Sequence, residues 1–207
     1  CSAQDWANVA MADNGNFVVT WSDNRSGSYE TYMRLYDIDG VALTGETEVS
    51  TNPGTGDWHA VDFAADGSFI VTFQNGSNTD IYYQRYSAAG SAIGGNTRVN
   101  QTTTDSQYSP DIAVADDGSF VVSWNSTNQD GSGAGVYARR YNSSGTALSN
   151  EFPVNQTTAG EQYLPVIDSD ASGNFVISWL SGDGNGYGIY GRRYQADGTA
   201  ISNEFLI

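Results

Sequence analysis

One aromatic strand phrase occurs four times in the chain. Phe17-Val18-Val19-Thr20-Trp21, Phe69-Ile70-Val71-Thr72-Phe73, Phe120-Val121-Val122-Ser123-Trp124 and Phe175-Val176-Ile177-Ser178-Trp179 end on aromatics 51 to 55 residues apart. Self-similarity at such a period makes the chain an array of supersecondary units, none of which can bury its apolar face alone. The units run approximately over residues 4–53, 54–104, 105–158 and 159–207.

Each unit reads as four short strands. The first covers residues 8–12, 60–64, 111–115 and 166–170, and a turn at Gly15, Gly67, Gly118 or Gly173 leads into the aromatic strand, which alternates with period two. The third strand covers 32–36, 82–86, 137–141 and 190–194, and the fourth 47–49, 97–99, 151–154 and 204–207. Pro153 has no N–H to give a ladder, which assigns the fourth strand to a sheet edge. Four antiparallel strands repeated around an axis predict an all-β fold, a β-propeller of four blades, as a single domain over residues 1–207. Both ends fall at one phase of the repeat. Closure is therefore expected from blade-to-blade packing, or the four units are part of a longer array.

The 24 Asp and Glu against 8 Arg and Lys leave a formal charge of −16. That balance argues against a nucleic-acid partner and in favour of cations. No apolar run approaches the roughly 20 residues that cross a bilayer. Cys1 is the only cysteine. A lipid on Cys1, as at the mature end of a bacterial lipoprotein, is the one membrane attachment expected, and the Gly-, Ser-, Thr- and Asn-rich surface points to an extracellular or bacterial cell-surface setting.

With its aspartate-glycine turn, Phe-Val-Val-x-Trp strand and Arg-Tyr strand, the unit resembles the tandem repeats of large secreted or surface proteins of bacteria. The resemblance covers nearly the whole chain and implies propeller blades without implying a ligand. The glycine-to-tryptophan spacing is longer than in the aspartate box of sialidase propellers, so no sialidase chemistry is carried over.

Trp21, Phe73, Trp124 and Trp179 are expected in the core. Trp6, Trp58, Tyr108 and Tyr163 precede the first strand of each unit and are the candidate ligand-binding set, since aromatic faces stack on sugars; packing against the next blade is the competing role. Asp62 and Asp168 occupy one first-strand position near the axis, while Asp130 and Asp183 lie in acidic, glycine-rich loops. These four are the candidate metal ligands, for calcium, which takes six to eight oxygens. Arg85, Arg140 and Arg193 align, as do Arg34, Arg139 and Arg192, and both sets are expected to pair with carboxylates.

No residue is assigned to catalysis. His59 is the only histidine, and neither a Gly-x-Ser-x-Gly elbow nor a phosphate loop occurs. The expected function is non-catalytic: an extracellular or surface propeller in adhesion or self-assembly, a homo-oligomer or filament subunit that pairs through its sheet edges, with calcium as a stabiliser. The alternative is a lectin-like glycan-binding module, followed by a propeller glycosidase or polysaccharide lyase, whose carboxylate pair cannot be read from sequence.

Overall fold

A computed structural model describes residues 3–50, 58–75, 79–182 and 186–207; Cys1 and Asp183 lie outside them. Every regular element among the described residues is a strand. The first blade comprises β1 (Gln4–Met11), β2 (Phe17–Asp23), β3 (Glu30–Tyr36) and β4 (Thr47–Glu48), and the second β5 (His59–Phe63), β6 (Phe69–Asn75), β7 (Asp80–Tyr86) and β8 (Ala92–Arg98). The third comprises β9 (Gln107–Val114), β10 (Phe120–Thr127), β11 (Ala134–Tyr141) and β12 (Phe152–Pro153), and the fourth β13 (Gln162–Ser169), β14 (Phe175–Gly182), β15 (Tyr187–Tyr194) and β16 (Phe205–Leu206). Each blade is an antiparallel meander in chain order. The first strands are innermost, β1 beside β5, β5 beside β9 and β9 beside β13. Pro153 sits, as expected, on an edge strand paired only to β11.

In three blades the innermost strand begins earlier than the sequence predicts. The register shifts between Asp5 and Asn8, between Ser123 and Asn125 and between Tyr163 and Val166. At these bulges Trp6, Ser109 and Leu164 take left-handed φ values of 55°, 52° and 57°. A bulge inserts an unpaired residue and turns the strand without ending it. Because none of the three is a glycine, the alternation breaks off with no visible turn signal, and the segment reads as a connection.

The two faces of each aromatic strand serve different neighbours. Its Phe, Val or Ile, and closing aromatic face the preceding blade, while the residues between them face the following one. Three cores result, each lying between blades. Val18, Leu35 and Val49 meet Val61, Phe69, Val71 and Phe73; Ile70, Ile81 and Val99 meet Ile112, Phe120, Val122 and Trp124; Val121, Val136 and Val154 meet Ile167, Phe175, Ile177 and Trp179. Phe73, Trp124 and Trp179 are core residues, as expected, and the Trp124 indole N–H donates to Gln107 Oε1 at 3.1 Å. Trp21 is only half-buried, for no preceding blade covers it.

The arginines do not pair with carboxylates as expected. Arg85 donates to the carbonyls of Ser143 and Ser144 at 2.6 Å, and Arg140 to those of Ala196 and Asp197, in each case on the next blade's turn. Arg139 and Arg192 instead reach back to the carbonyls of Val99 and Val154 at 2.8 and 3.0 Å. Where blades meet, the edge-strand carbonyls of Val99 and Val154 lose water and require a donor. Carboxylates do the reverse: Glu151 accepts the N–H groups of Gln101 and Thr102, and Glu204 those of Gln156 and Thr157.

Candidate functional site

Three aspartates lie on successive innermost strands: Asp62 on β5, Asp111 on β9 and Asp168 on β13. Asp62 and Asp168 share a register position, opposite Ile70 and Val176, whereas Asp111 lies opposite Ser123. Asp62 accepts the Val114 N–H on Oδ2 at 2.7 Å and the Phe63 N–H on Oδ1 at 2.8 Å. Asp111 Oδ2 accepts the Ile167 N–H at 2.8 Å, and Asp168 Oδ1 accepts the Ser169 N–H at 2.9 Å. The first two carboxyls thus join their own strand to the next and are held in fixed orientations.

Burial pushes the Asp62 carboxyl above the usual carboxylate range, and the charge of Asp168 adds to the shift. Asp111 is pushed up to about 6, again chiefly by burial, with Asp62 and Asp168 contributing. Asp62 therefore senses Asp168, and Asp111 senses both of the others. A carboxyl that titrates near neutrality can hold a proton and deliver it. Sequence reasoning named Asp62 and Asp168 as cation ligands and passed over Asp111, although an acidic residue at the head of the apolar run Ile112-Ala113-Val114 was the available signal. Among the described residues, no three His, Cys, Asp or Glu side chains come together as metal donors. Asp130 Oδ1 accepts the Ser132 N–H at 3.0 Å, while its Oδ2 is buried without a hydrogen-bond partner among the described residues.

Two of the four aromatics stand together. Trp6 and Trp58 lie with ring centroids 5.2 Å apart. With Ala7, Asn8 and His59 they line a depression of about 160 Å3. Tyr108 and Tyr163 lie opposite Asn125 and Leu180, one residue before the bulge, so Ser109 and Leu164 hold the place that corresponds to Trp6. Tyr163 instead meets Tyr187 edge-on at 5.7 Å, a partner from β15 that no spacing in the sequence suggests. All four stand near the start of strands that carry the aspartates or their equivalents. Tyr108 and Asp111 lie opposite Asn125 and Ser123, two residues apart on β10, or about 7 Å along the strand.

His59 is buried at the joint of the first two blades, where its carbonyl accepts a hydrogen bond from Asn8 Nδ2 at 3.4 Å. Burial holds its pKa down to about 4, against an ordinary 6.5. The unfolded chain therefore takes up this proton first as pH falls. The corresponding stability is fully present above 6.5 and is lost toward pH 4, by about 3 kcal/mol. A non-titrating His59→Asn variant should show a flatter fall of the urea midpoint between pH 7 and 4.5 than the native protein. Equal slopes would assign the acid sensitivity to other groups.

No family model and no curated protein matches the chain. Solved structures do match its fold. An α-L-arabinanase from Penicillium chrysogenum complexed with arabinobiose aligns at a TM-score of 0.69 and 13% identity, over 99% of this chain and 66% of that one. A GH93 α-L-arabinofuranosidase of Fusarium graminearum, also with arabinobiose, aligns at 0.65 and 12%, over 97% and 65%. A protein of unknown function from Dyadobacter fermentans aligns at 0.69 and 10%, over 99% and 69%. In fold, the chain is similar to propeller glycoside hydrolases. It spans about two thirds of the length of these structures, and identities this low speak for the fold alone.

These likenesses overturn the expectation of a non-catalytic module for adhesion or self-assembly, and with it the expectation that the chain is not an enzyme. The likenesses that name an activity name glycosidases, the reading placed after the lectin-like module in the sequence analysis.

Proposed function

We propose that the chain carries the substrate-binding and proton-transferring groups of a glycoside hydrolase acting on an arabinose-containing polysaccharide. The observation that carries this reading is Asp111, a carboxyl fixed on an innermost strand and pushed up to about 6, with Asp62 and Asp168 on the strands to either side. Glycosidic cleavage requires one carboxyl that donates a proton to the departing oxygen and a second that activates water or attacks the sugar. Asp111 suits the first role. Solvent-exposed Asp168 supplies the second. Trp6, Trp58, Tyr108 and Tyr163 would seat sugar rings leading toward them. Support for the pentose comes from the two arabinan-directed enzymes of like fold, each solved with arabinobiose. A polymeric substrate would also place the activity outside the cell.

The test is sugar release from arabinan, arabinoxylan and cellulose, followed by chromatography. Arabinose or its oligomers should appear from the first two substrates and nothing from the third. Release from none of them, with arabinan binding still measurable by calorimetry, would replace hydrolysis with glycan binding alone.

A further inference from the structure

The contacts that join one blade to the next are repeated three times and then left half-made at both ends of the array. On the side that faces a following blade, Ile81 and Val136 are fully buried and their counterpart Ile189 is 46% exposed. Likewise Val49, Val99 and Val154 are buried while Ile207, which makes the same backbone bond to its third strand, is 71% exposed. On the side that faces a preceding blade, Val61, Ile112 and Ile167 are buried, whereas Val9, at the same register, is 61% exposed with Met11 beside it at 68%. No contact between β1 and β13 matches in extent those joining the other innermost neighbours.

The polar contacts stop at the same places. Leu35, Arg85 and Arg140 cover Gly90, Gly145 and Gly198 on the next blade's turn, while the corresponding Gly40 faces open space. Arg193, the counterpart of Arg85 and Arg140, has no hydrogen-bond partner among the described residues. Its stem lines an open depression of about 310 Å3 with Asp168, Val176 and Ile201. At the other end, Arg34 donates its Nε to the Thr44 carbonyl, as Arg139 does to Ser149 and Arg192 to Ser202. The outer nitrogens of Arg139 and Arg192, with the hydroxyls of Tyr141 and Tyr194, then meet the carbonyls of Val99 and Val154. Arg34 is posed alike beside Tyr36, and among the described residues no such carbonyl stands opposite them. Trp6 and Trp21 line a second open depression there, of about 480 Å3.

We propose that these two faces hold one further four-stranded blade of the same repeat, seated between the fourth blade and the first. A blade of this pattern supplies to Arg193 a turn with glycine, and to Arg34 and Tyr36 an outer-strand carbonyl. Its own two sides carry the apolar residues that Ile189 and Val9 lack, because the open faces are the two halves of the interface already made three times. The greater length of the solved structures of like fold leaves room for such a unit. The inference is independent of the glycosidase reading and concerns only how the array is completed.

A copy of residues 155–207 appended after Ile207, which stands where Val154 stands in the third blade, tests the proposal. Oxidation of Met11 by peroxide follows its exposure, and should slow about tenfold in the extended chain relative to the 207-residue chain. Arg193→Ala should lower the melting temperature of the extended chain only. Unchanged Met11 oxidation in a folded extended chain would overturn the proposal. So would a 207-residue chain that sediments as a dimer with Met11 protected, which would make a second copy the occupant. Val9→Asp in the unextended chain supplies a test that does not depend on the appended unit folding. It should leave the melting temperature unchanged where Val61→Asp at the equivalent position abolishes folding, and an equal loss from both would show the face to be covered already.

Discussion

Trp124→Ala is expected to destabilise the protein by about 3–5 kcal/mol, the range for emptying a large aromatic site in a packed core. Trp21→Ala, the same substitution at the same place in the first blade, should cost under about 2 kcal/mol. The difference comes from what lies in front of each ring. Trp124 is fully buried between the second and third blades, among Ile70, Ile81 and Val99 on one side and its own sheet on the other, and its indole N–H is committed to Gln107. Removing it leaves a cavity that neighbouring strands cannot close, and strands the Gln107 carbonyl oxygen without its donor. Trp21 stacks on Tyr32 and gives its N–H to Asp23 at 3.4 Å, but one face looks into the open depression beside Trp6. Water already reaches it. Urea unfolding of both variants at constant slope measures the contrast, and equal losses would mean that the outer face of the first blade is covered in solution.

Asp111→Asn should lower glycoside hydrolysis by about 10²–10⁴-fold, the contribution of a positioned proton donor, while raising stability at neutral pH. The two effects have one source. Asn keeps an oxygen for the Ile167 N–H and nearly the same volume, but it has neither a proton to give nor a charge to bury. A folded pKa of about 6, above the ordinary 3.8, means that the native state holds this proton more tightly than the unfolded chain. Its favourable contribution is complete below pH 3.8 and is lost as pH rises through 6, so at pH 7 the ionised form costs up to about 3 kcal/mol. In the unsubstituted chain, the proposed activity should fall as pH rises through about 6, and in the variant the residual rate should no longer follow that limb. A variant that gains stability and keeps full activity would move the proton donor to another carboxyl.

The strands and turns could be read because their signal is local. Alternation in Phe17-Val18-Val19-Thr20-Trp21 and its copies, with a glycine before each, marks both the strand and the hairpin, and the recurring period marks the blades. The bulges could not be read, because Trp6, Ser109 and Leu164 are residues that ordinarily avoid left-handed φ and take it only where the surrounding sheet compels them. This error displaced the aromatic set: Tyr108 and Tyr163 were aligned with Trp6, one residue out of phase. The arginines were visible but not their partners, since main-chain carbonyls look the same in every sequence. Asp111 escaped notice for a related reason. Its pKa and its placement between Asp62 and Asp168 arise from three strands more than 40 residues apart in the chain, and no spacing rule brings them together. With the carboxylates unplaced, the sequence favoured a mute scaffold.

The way Arg85 and Arg140 grip the next blade has an evolutionary corollary. Both address peptide oxygens of the receiving turn, so beyond the glycine that ends it the side chains go unread, and the turns have in fact diverged, to Asn142-Ser143-Ser144 in one blade and Gln195-Ala196-Asp197 in another. A recognition code blind to side chains lets neighbouring modules drift apart without losing their fit. Duplication, deletion or shuffling of modules then needs no compensating mutation at the seam, and the loops that differ most between copies are left free to acquire chemistry.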